Sequence, residues 1–195
     1  MSRDAVLAAA KQHFAASGYE KTTLRAIARD AGVDPSMVLY LFGSKEGLFR
    51  AAMQLIVDPQ RLVDAISGGD DADLGTRLVR AYLDIWDDPD TGASMAAMVA
   101  SATSNAHAKA AFREFMREYV LTAVSGALGG GPDTRLRAVL AASNLIGTVF
   151  LRYIMRVGPI AEVSSDEVVR MIAPTVQRYL TADVEELGLP DGYRP

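Results

Sequence analysis

Cysteine is absent from the 195 residues. That excludes disulfides, thiolate nucleophiles and cysteine metal sites, and makes a reducing cytoplasm the expected setting. Histidine is scarce too, and neither His13 nor His107 has a carboxylate or second ligand at helical spacing. Long apolar runs are missing. The most apolar segment, residues 138–155, is broken by Ser143, Asn144, Gly147, Thr148 and Arg152, so no membrane span is expected. The first residues lack the charged-then-apolar order of a signal segment. No stretch alternates polar and apolar residues as a strand does, and no internal repeat is found, which leaves an all-α protein.

Motifs that would carry chemistry are also lacking. Gly129-Gly130-Gly131-Pro132 has neither the lysine nor the preceding strand of a phosphate loop. Gly92-Ala93-Ser94-Met95-Ala96 fails as a nucleophile elbow at its last position. Asp87, Asp88 and Asp90 read as a solvated loop that ends a helix, not as metal ligands. No catalytic residue, cofactor or metal is expected; an enzyme would need His107 paired with a carboxylate in a pocket.

What is present starts with an uneven charge. Residues 1–50 hold seven Lys/Arg against five Asp/Glu, whereas the rest hold 13 against 19. A mildly basic head on an acidic body suits local phosphate contact and keeps the body off nucleic acid.

The head carries the clearest signal. Thr23 is placed to cap a helix over 24–31, Gly32 to close it, and Asp34 to cap a second helix with Pro35 at its first position. Ile27, Ala28, Ala31, Val33, Val38 and Leu41 can share one wedge between the two helices. This is the layout of a helix-turn-helix. An ordinary helical hairpin is the competing reading of the same pattern. Pro35, Ser36, Met37 and Tyr40 remain outward on the second helix, which fits a B-DNA major groove. That helix has no Arg, Lys, Asn or Gln, so reading would fall to Ser36, Met37 and Tyr40, through thymine methyls and water. Lys21 and Thr23 are placed for phosphates, and Arg25 for a guanine. Ser44 caps the next helix with Lys45 in its first turn, an arrangement suited to an anion.

Before the head's wedge, a helix from Ser2 to about Ser17 closes at Gly18, with Val6, Ala9, Ala10, His13 and Phe14 inward and His13 a packing residue. Further helices are predicted from Ser44 to Ile56, Pro59 to Ile66, Leu74 to Trp86, Thr91 or Ser94 onward, Ala106 to Leu128 and Asp133 to Val157. The last helix opens at Ser164 or Ser165 and contains Pro174; Pro190 to Pro195 reads as a frayed tail. Bulky, soft side chains are spread over four body helices: Trp86, Met95, Met98, Phe112, Phe115, Met116, Tyr119 and Phe150. They fit a filled core as well as a ligand pocket. Val139, Leu140, Leu145, Ile146 and Val149, with small neighbours Ala141, Ala142 and Gly147, and then Met171, Ile172, Val176 and Tyr179, are too apolar for a lone protomer. A two-fold helix-bundle dimer through the last two long helices is expected.

Residues 6–49 resemble the DNA-binding domain of the tetracycline-repressor (TetR) family. The matching features are Ala9-Ala10, Phe14, Gly18-Tyr19, Thr22-Thr23, Ile27-Ala28, Ala31-Gly32-Val33 and Phe42-Gly43-Ser44-Lys45-Glu46-Gly47-Leu48. The sequence departs at Leu39 and Leu41, where the family usually shows aromatic or histidine residues, with Tyr40 one position away. The resemblance implies a helix-turn-helix domain over 1–47 and a helical ligand-binding and dimerisation domain over 48–195. It implies that a small, largely apolar effector binds in the body, and that Trp86, Met98, Phe112, Met116, Tyr119, Asn144, Thr148 and Phe150 are the residues to meet it. Asn144 is singled out because an amide in so apolar a helix needs a partner. The function so implied is a ligand-responsive regulator, a repressor in the first instance, holding a near-palindromic DNA operator as a homodimer. The rival reading is a helical small-molecule-binding protein that has lost sequence-specific DNA reading, for which Leu39 and Leu41 are the support.

Overall fold

The computed structural model describes residues 2–56 and 58–194, and among them helices account for all regular structure. The helices are α1 (Ser2–Lys21), α2 (Leu24–Asp30), α3 (Pro35–Phe42), α4 (Lys45–Ile56), α5 (Pro59–Ser67), α6 (Leu74–Asp87), α7 (Pro89–Ser104), α8 (Ala106–Phe115), α9 (Leu121–Ala127), α10 (Thr134–Val149), α11 (Ser165–Thr181) and α12 (Val184–Leu187). No helix among the described residues is long and apolar enough to cross a membrane. The chain forms two compact units, one of Met1–Asp58 with Asp87–Arg117, the other of Pro59–Trp86 with Glu118–Pro195.

The first unit is built on an aromatic cluster. Phe14 of α1 meets Phe49 of α4 edge to face at 4.9 Å, and Tyr19 meets the same ring at 5.2 Å. All three rings are buried. Gly18 makes this possible: its φ of 70° breaks the regular helix, as a residue without Cβ can do cheaply, and swings Tyr19 inward. The break leaves the Tyr19 N–H without a helical acceptor, and Ser101 Oγ of α7 accepts it at 3.0 Å. α7 itself begins at Pro89, earlier than the sequence suggests. Asp88 Oδ1 accepts from the Thr91 N–H at 2.8 Å, so Asp88-Pro89 is a cap followed by a helix-starting proline rather than a break. The Asp88 carboxylate is thereby occupied as a cap.

The second unit packs α5 and α10 against α9, and α11 against α10. Two helices expected to be continuous are interrupted by π-helical turns, Met116–Val120 and Phe150–Ile154. α11 carries Pro174 inside it and is capped by a reciprocal pair, Ser164 with Glu167. Arginines bind loose carbonyl ends. Arg137 donates to Asp133 and to the carbonyls of Tyr179 and Ala182, closing α11, and Arg77 donates to Ala65, Ile66 and Asp70 beyond α5. The C-terminal tail is ordered rather than frayed. Leu189 is buried, Asp191–Tyr193 form a 3₁₀ turn, and Arg194 donates to the Leu189 carbonyl at 3.0 Å; Pro195 lies outside the described residues.

α6 and α11 approach closely at Gly75. Its N–H donates to Gln177 Oε1 at 2.6 Å, so a side chain of α11 satisfies an orphan donor of α6. A Cβ on residue 75 would lie 2.6 Å from both the Ala173 carbonyl oxygen and the Gln177 nitrogen. Gly75→Ala gains up to about 1 kcal/mol of helix propensity but forces the two helices apart, which typically costs more, about 1–3 kcal/mol. The variant is expected to melt several degrees lower, and an unchanged or higher midpoint in a thermal melt would show that the contact yields.

Candidate nucleic-acid interface and buried polar groups

The head's two caps form as the residue types dictate. Thr23 Oγ1 accepts from the Ala26 N–H at 3.2 Å. At the other end of α2, Gly32 takes φ 67°, its N–H reaches the Arg29 carbonyl, and the Val33 N–H reaches that of Ala28. This is a complete Schellman closure. Asp34 Oδ1 accepts from both the backbone N–H and the hydroxyl of Ser36, at 2.8 and 2.6 Å. The Ser36 hydroxyl is chiefly what holds the Asp34 carboxyl below its usual range. Ile27, Ala28 and Val38 are fully buried in the wedge, while Ala31, Val33 and Leu41 are only half-buried.

Pinned by Val38, α3 turns its other face outward. Tyr40 is 84 % exposed, Leu39 48 % and Met37 40 %. Ser36 is exposed and Pro35 half-buried, while on the neighbouring segment Lys21, Thr23 and Arg25 are exposed. Leu39 was not among the candidates, and only its 3.6-residue phase relative to Val38 hints at its exposure. Lys45 is placed differently from a free phosphate clamp. Its ammonium sits 4.5 Å over the Tyr19 ring and donates to the Glu20 carbonyl at 3.3 Å, and burial lowers its pKa.

Both histidines find carboxylates that helical spacing does not reveal. His13 Nε2 lies 2.7 Å from Asp30 Oδ2, joining α1 to α2, and His107 Nδ1 lies 2.9 Å from Glu46 Oε1, joining α8 to α4. His13 is therefore a hydrogen-bonding residue as well as a packing one. Glu46 is held below its usual pKa by its own backbone N–H first, then by the hydroxyls of Ser44 and Tyr19 and by His107. Burial is the main reason that the Tyr19 phenol is raised. The His107 side chain is largely exposed.

The eight candidate ligand residues divide between the units. Met98, Phe112 and Met116 belong to the first; Trp86, Tyr119, Asn144, Thr148 and Phe150 belong to the second. Met98, Trp86 and Thr148 are buried and the other five half-buried. Within the second unit Trp86 stacks on Tyr153 at 5.5 Å, and the Arg152 guanidinium lies 5.3 Å from the same ring. Tyr82 packs against Trp86 at 6.4 Å, and burial raises its phenol. Thr148 Oγ1 is turned back on the Asn144 carbonyl at 2.9 Å. Arg152 Nη1 donates to the carbonyls of Ile160 and Val163, both at 2.6 Å. Three buried polar atoms in this unit nevertheless lack a hydrogen bond of normal geometry among the described residues: Trp86 Nε1, which has only the Tyr82 hydroxyl beside it, Asn144 Oδ1 and Arg152 Nε. Leaving such an atom unsatisfied costs about 1–3 kcal/mol. Tyr153 joins this group without having been a sequence candidate, since nothing in its spacing points toward Trp86.

Known proteins place this arrangement. Residues 6–52 match the model of bacterial regulatory proteins of the tetR family, and residues 72–180 match the tetracyclin repressor-like C-terminal domain. A TetR-family regulator from Streptomyces coelicolor is 35 % identical, with 92 % of this chain and 94 % of that one covered and a TM-score of 0.67. The fold is also shared with NalD, the secondary repressor of the MexAB-OprM multidrug efflux pump in Pseudomonas aeruginosa: 17 % identity, 93 % and 96 % covered, TM-score 0.66. FadR from Bacillus halodurans, a fatty acid degradation regulator, is similar at 21 % identity, 93 % and 99 % covered, TM-score 0.63. Comparison with curated proteins returned no match. With both parts of the chain matched to models of one family, and a relative from that family alike along nearly its whole length, the chain belongs to the TetR family of transcriptional regulators.

Proposed function

We propose that the protein is a repressor that holds a near-palindromic operator as a homodimer and releases it when a small, largely apolar molecule binds the second unit. The single observation that carries the DNA reading is α3: capped at Asp34, anchored by buried Val38, and exposed at Met37, Leu39 and Tyr40. Lys21, Thr23 and Arg25 flank it, with Pro35 and Ser36 at its leading end and Lys45 behind. Pairing of two copies is supported by a stripe on α10 and the turn after it. Val139, Ser143, Gly147, Leu151 and Met155 recur every four residues, and all are exposed, as is Met171 of α11. Two heads related by this pairing would meet half-sites about 34–36 Å apart.

The effector's chemistry is set by the buried atoms left unsatisfied. Trp86 Nε1 and Arg152 Nε are donors and Asn144 Oδ1 is an acceptor. A ligand that satisfies them carries a carboxylate or carbonyl on an apolar frame that packs on the rings of Trp86 and Tyr153, with a donor for Asn144. Tyr119, Thr148 and Phe150 lie in the same unit as these three atoms, and Met98, Phe112 and Met116 in the other. A coupling of about 1–3 kcal/mol, or roughly 5- to 150-fold in operator affinity, suffices for release.

The test is selection of preferred duplexes from a random pool, followed by titration of the winner at several salt concentrations. The expected result is a two-fold site with salt-sensitive affinity. Arg25→Ala relaxes its base preference, and Lys21→Ala weakens all sequences alike, with a salt slope smaller by about one. Apolar carboxylic acids and ketones then loosen the wild-type complex, while Asn144→Leu protein responds less. No selected sequence would leave only the carrier reading, and no small molecule altering the complex would remove the effector.

A further inference from the structure

The reading face of α3 is short of hydrogen-bonding groups. Between Pro35 and Phe42 there is no Arg, Lys, Asn or Gln. Ser36 is the polar side chain nearest the helix start, and its hydroxyl is already given to Asp34 at 2.6 Å. What α3 offers at its surface is carbon: the Met37 thioether chain, the Leu39 isobutyl group and the Tyr40 ring, with one phenolic hydroxyl at the far end of the last. The most prominent apolar feature of the major groove is the C5-methyl of thymine; most of the rest of each base-pair edge is donors and acceptors. An apolar patch laid on donors and acceptors would desolvate them without return.

Resting on the DNA reading above, the geometry points to thymine methyl groups as what α3 recognises: Met37, Leu39 and Tyr40 form an apolar reader whose complement is two or three thymines in each half-site. Orientation then comes from outside α3, through exposed Lys21 and Arg25 at the backbone and at a neighbouring base. Leu39, a departure from the family pattern, is in this account a specificity-determining residue. Ser36 has given its donor to the cap, which leaves its hydroxyl only as an acceptor.

Deoxyuridine isolates the methyl, since it keeps every Watson–Crick and major-groove polar group of thymidine. The selected operator is made with each thymine replaced in turn, symmetrically in both half-sites, and titrated by fluorescence anisotropy against wild-type, Leu39→Ala and Met37→Ala proteins. Two or three positions are expected to lose about 3- to 10-fold per methyl. At one of them Leu39→Ala protein binds the thymine and uracil duplexes equally, and at another Met37→Ala protein does so. Circular dichroism confirms that both variants keep wild-type helicity, as exposed helical positions should allow. A selected site without conserved thymines, or one indifferent to uracil at every position, overturns the methyl reader while leaving DNA binding intact. Failure to select any sequence overturns both.

Discussion

Gly47→Ala is expected to abolish operator binding and to lower the melting temperature of the protein. A Cβ on residue 47 would overlap the Phe42 carbonyl oxygen, which ends α3. That oxygen cannot retreat freely, because it accepts the Ser44 N–H at 2.8 Å and so fixes the turn between α3 and α4. The Gly47 N–H is itself bound to Ser44 Oγ at 3.0 Å, so the clash lies inside a cap on one side and a turn on the other. Relief requires α3 to move relative to α4, at about 2–4 kcal/mol. At Gly32 the situation is milder: its φ of 67° disfavours a side chain, but nothing stands within 4 Å of the added carbon. There the cost is left-handed strain of about 1–2 kcal/mol. An operator titration should show at least about 100-fold weakening for Gly47→Ala, since 2.8 kcal/mol is already two decades. Wild-type affinity together with an unshifted melt would mean that the turn has slack which the geometry does not show.

Gly147→Leu should leave the protomer folded and break the dimer. A glycine inside a helix costs about 1 kcal/mol relative to alanine, and is kept where something else must come near. Nothing among the described residues does: a Cβ there would meet no atom of theirs within 4 Å. Gly147 lies in the middle of the exposed stripe between Ser143 and Leu151, where two copies of the helix can cross with their backbones close. A two-fold axis repeats the substitution, so about 1–3 kcal/mol of overpacking counts twice. Sedimentation equilibrium should show a dissociation constant raised more than about 30-fold. The far-UV spectrum should be unchanged or slightly more helical. A dimer of undiminished strength would move the interface away from this stripe.

Local chemistry made the head legible. Thr23, Gly32, Asp34 and Pro35 act on their own neighbours, so their roles can be read without knowing what packs on them. The same signal at Asp88-Pro89 read as a break, because a run of aspartates looked more like a loop than a helix start. Contacts between distant residues were beyond reach. His13 finds Asp30 and His107 finds Glu46 through tertiary packing, which no helical period encodes. Glycine roles divide the same way: Gly32 announces itself by its place after a helix, whereas Gly75 matters because of backbone atoms of α11, about a hundred residues away. The π-helical turns at Met116–Val120 and Phe150–Ile154 add a residue to a helix without altering its composition, so an apolar periodicity runs through them unmarked. Leu189, a single apolar residue between Gly188 and Pro190, has no period at all, and its burial comes from where the chain folds back.

The serine of α7 that receives the Tyr19 N–H has a practical bearing on engineering and on descent. Whatever reads DNA near the front shares its interior with Met98, Ser101 and Ala108, which arrive much later along the chain. Grafting a new specificity from a relative by splicing after the third helix would pair a foreign front with a mismatched bed. A transplant that works must bring residues 87–117 along with it, so the exchangeable piece is discontinuous, and recombination at one point cannot shuffle it.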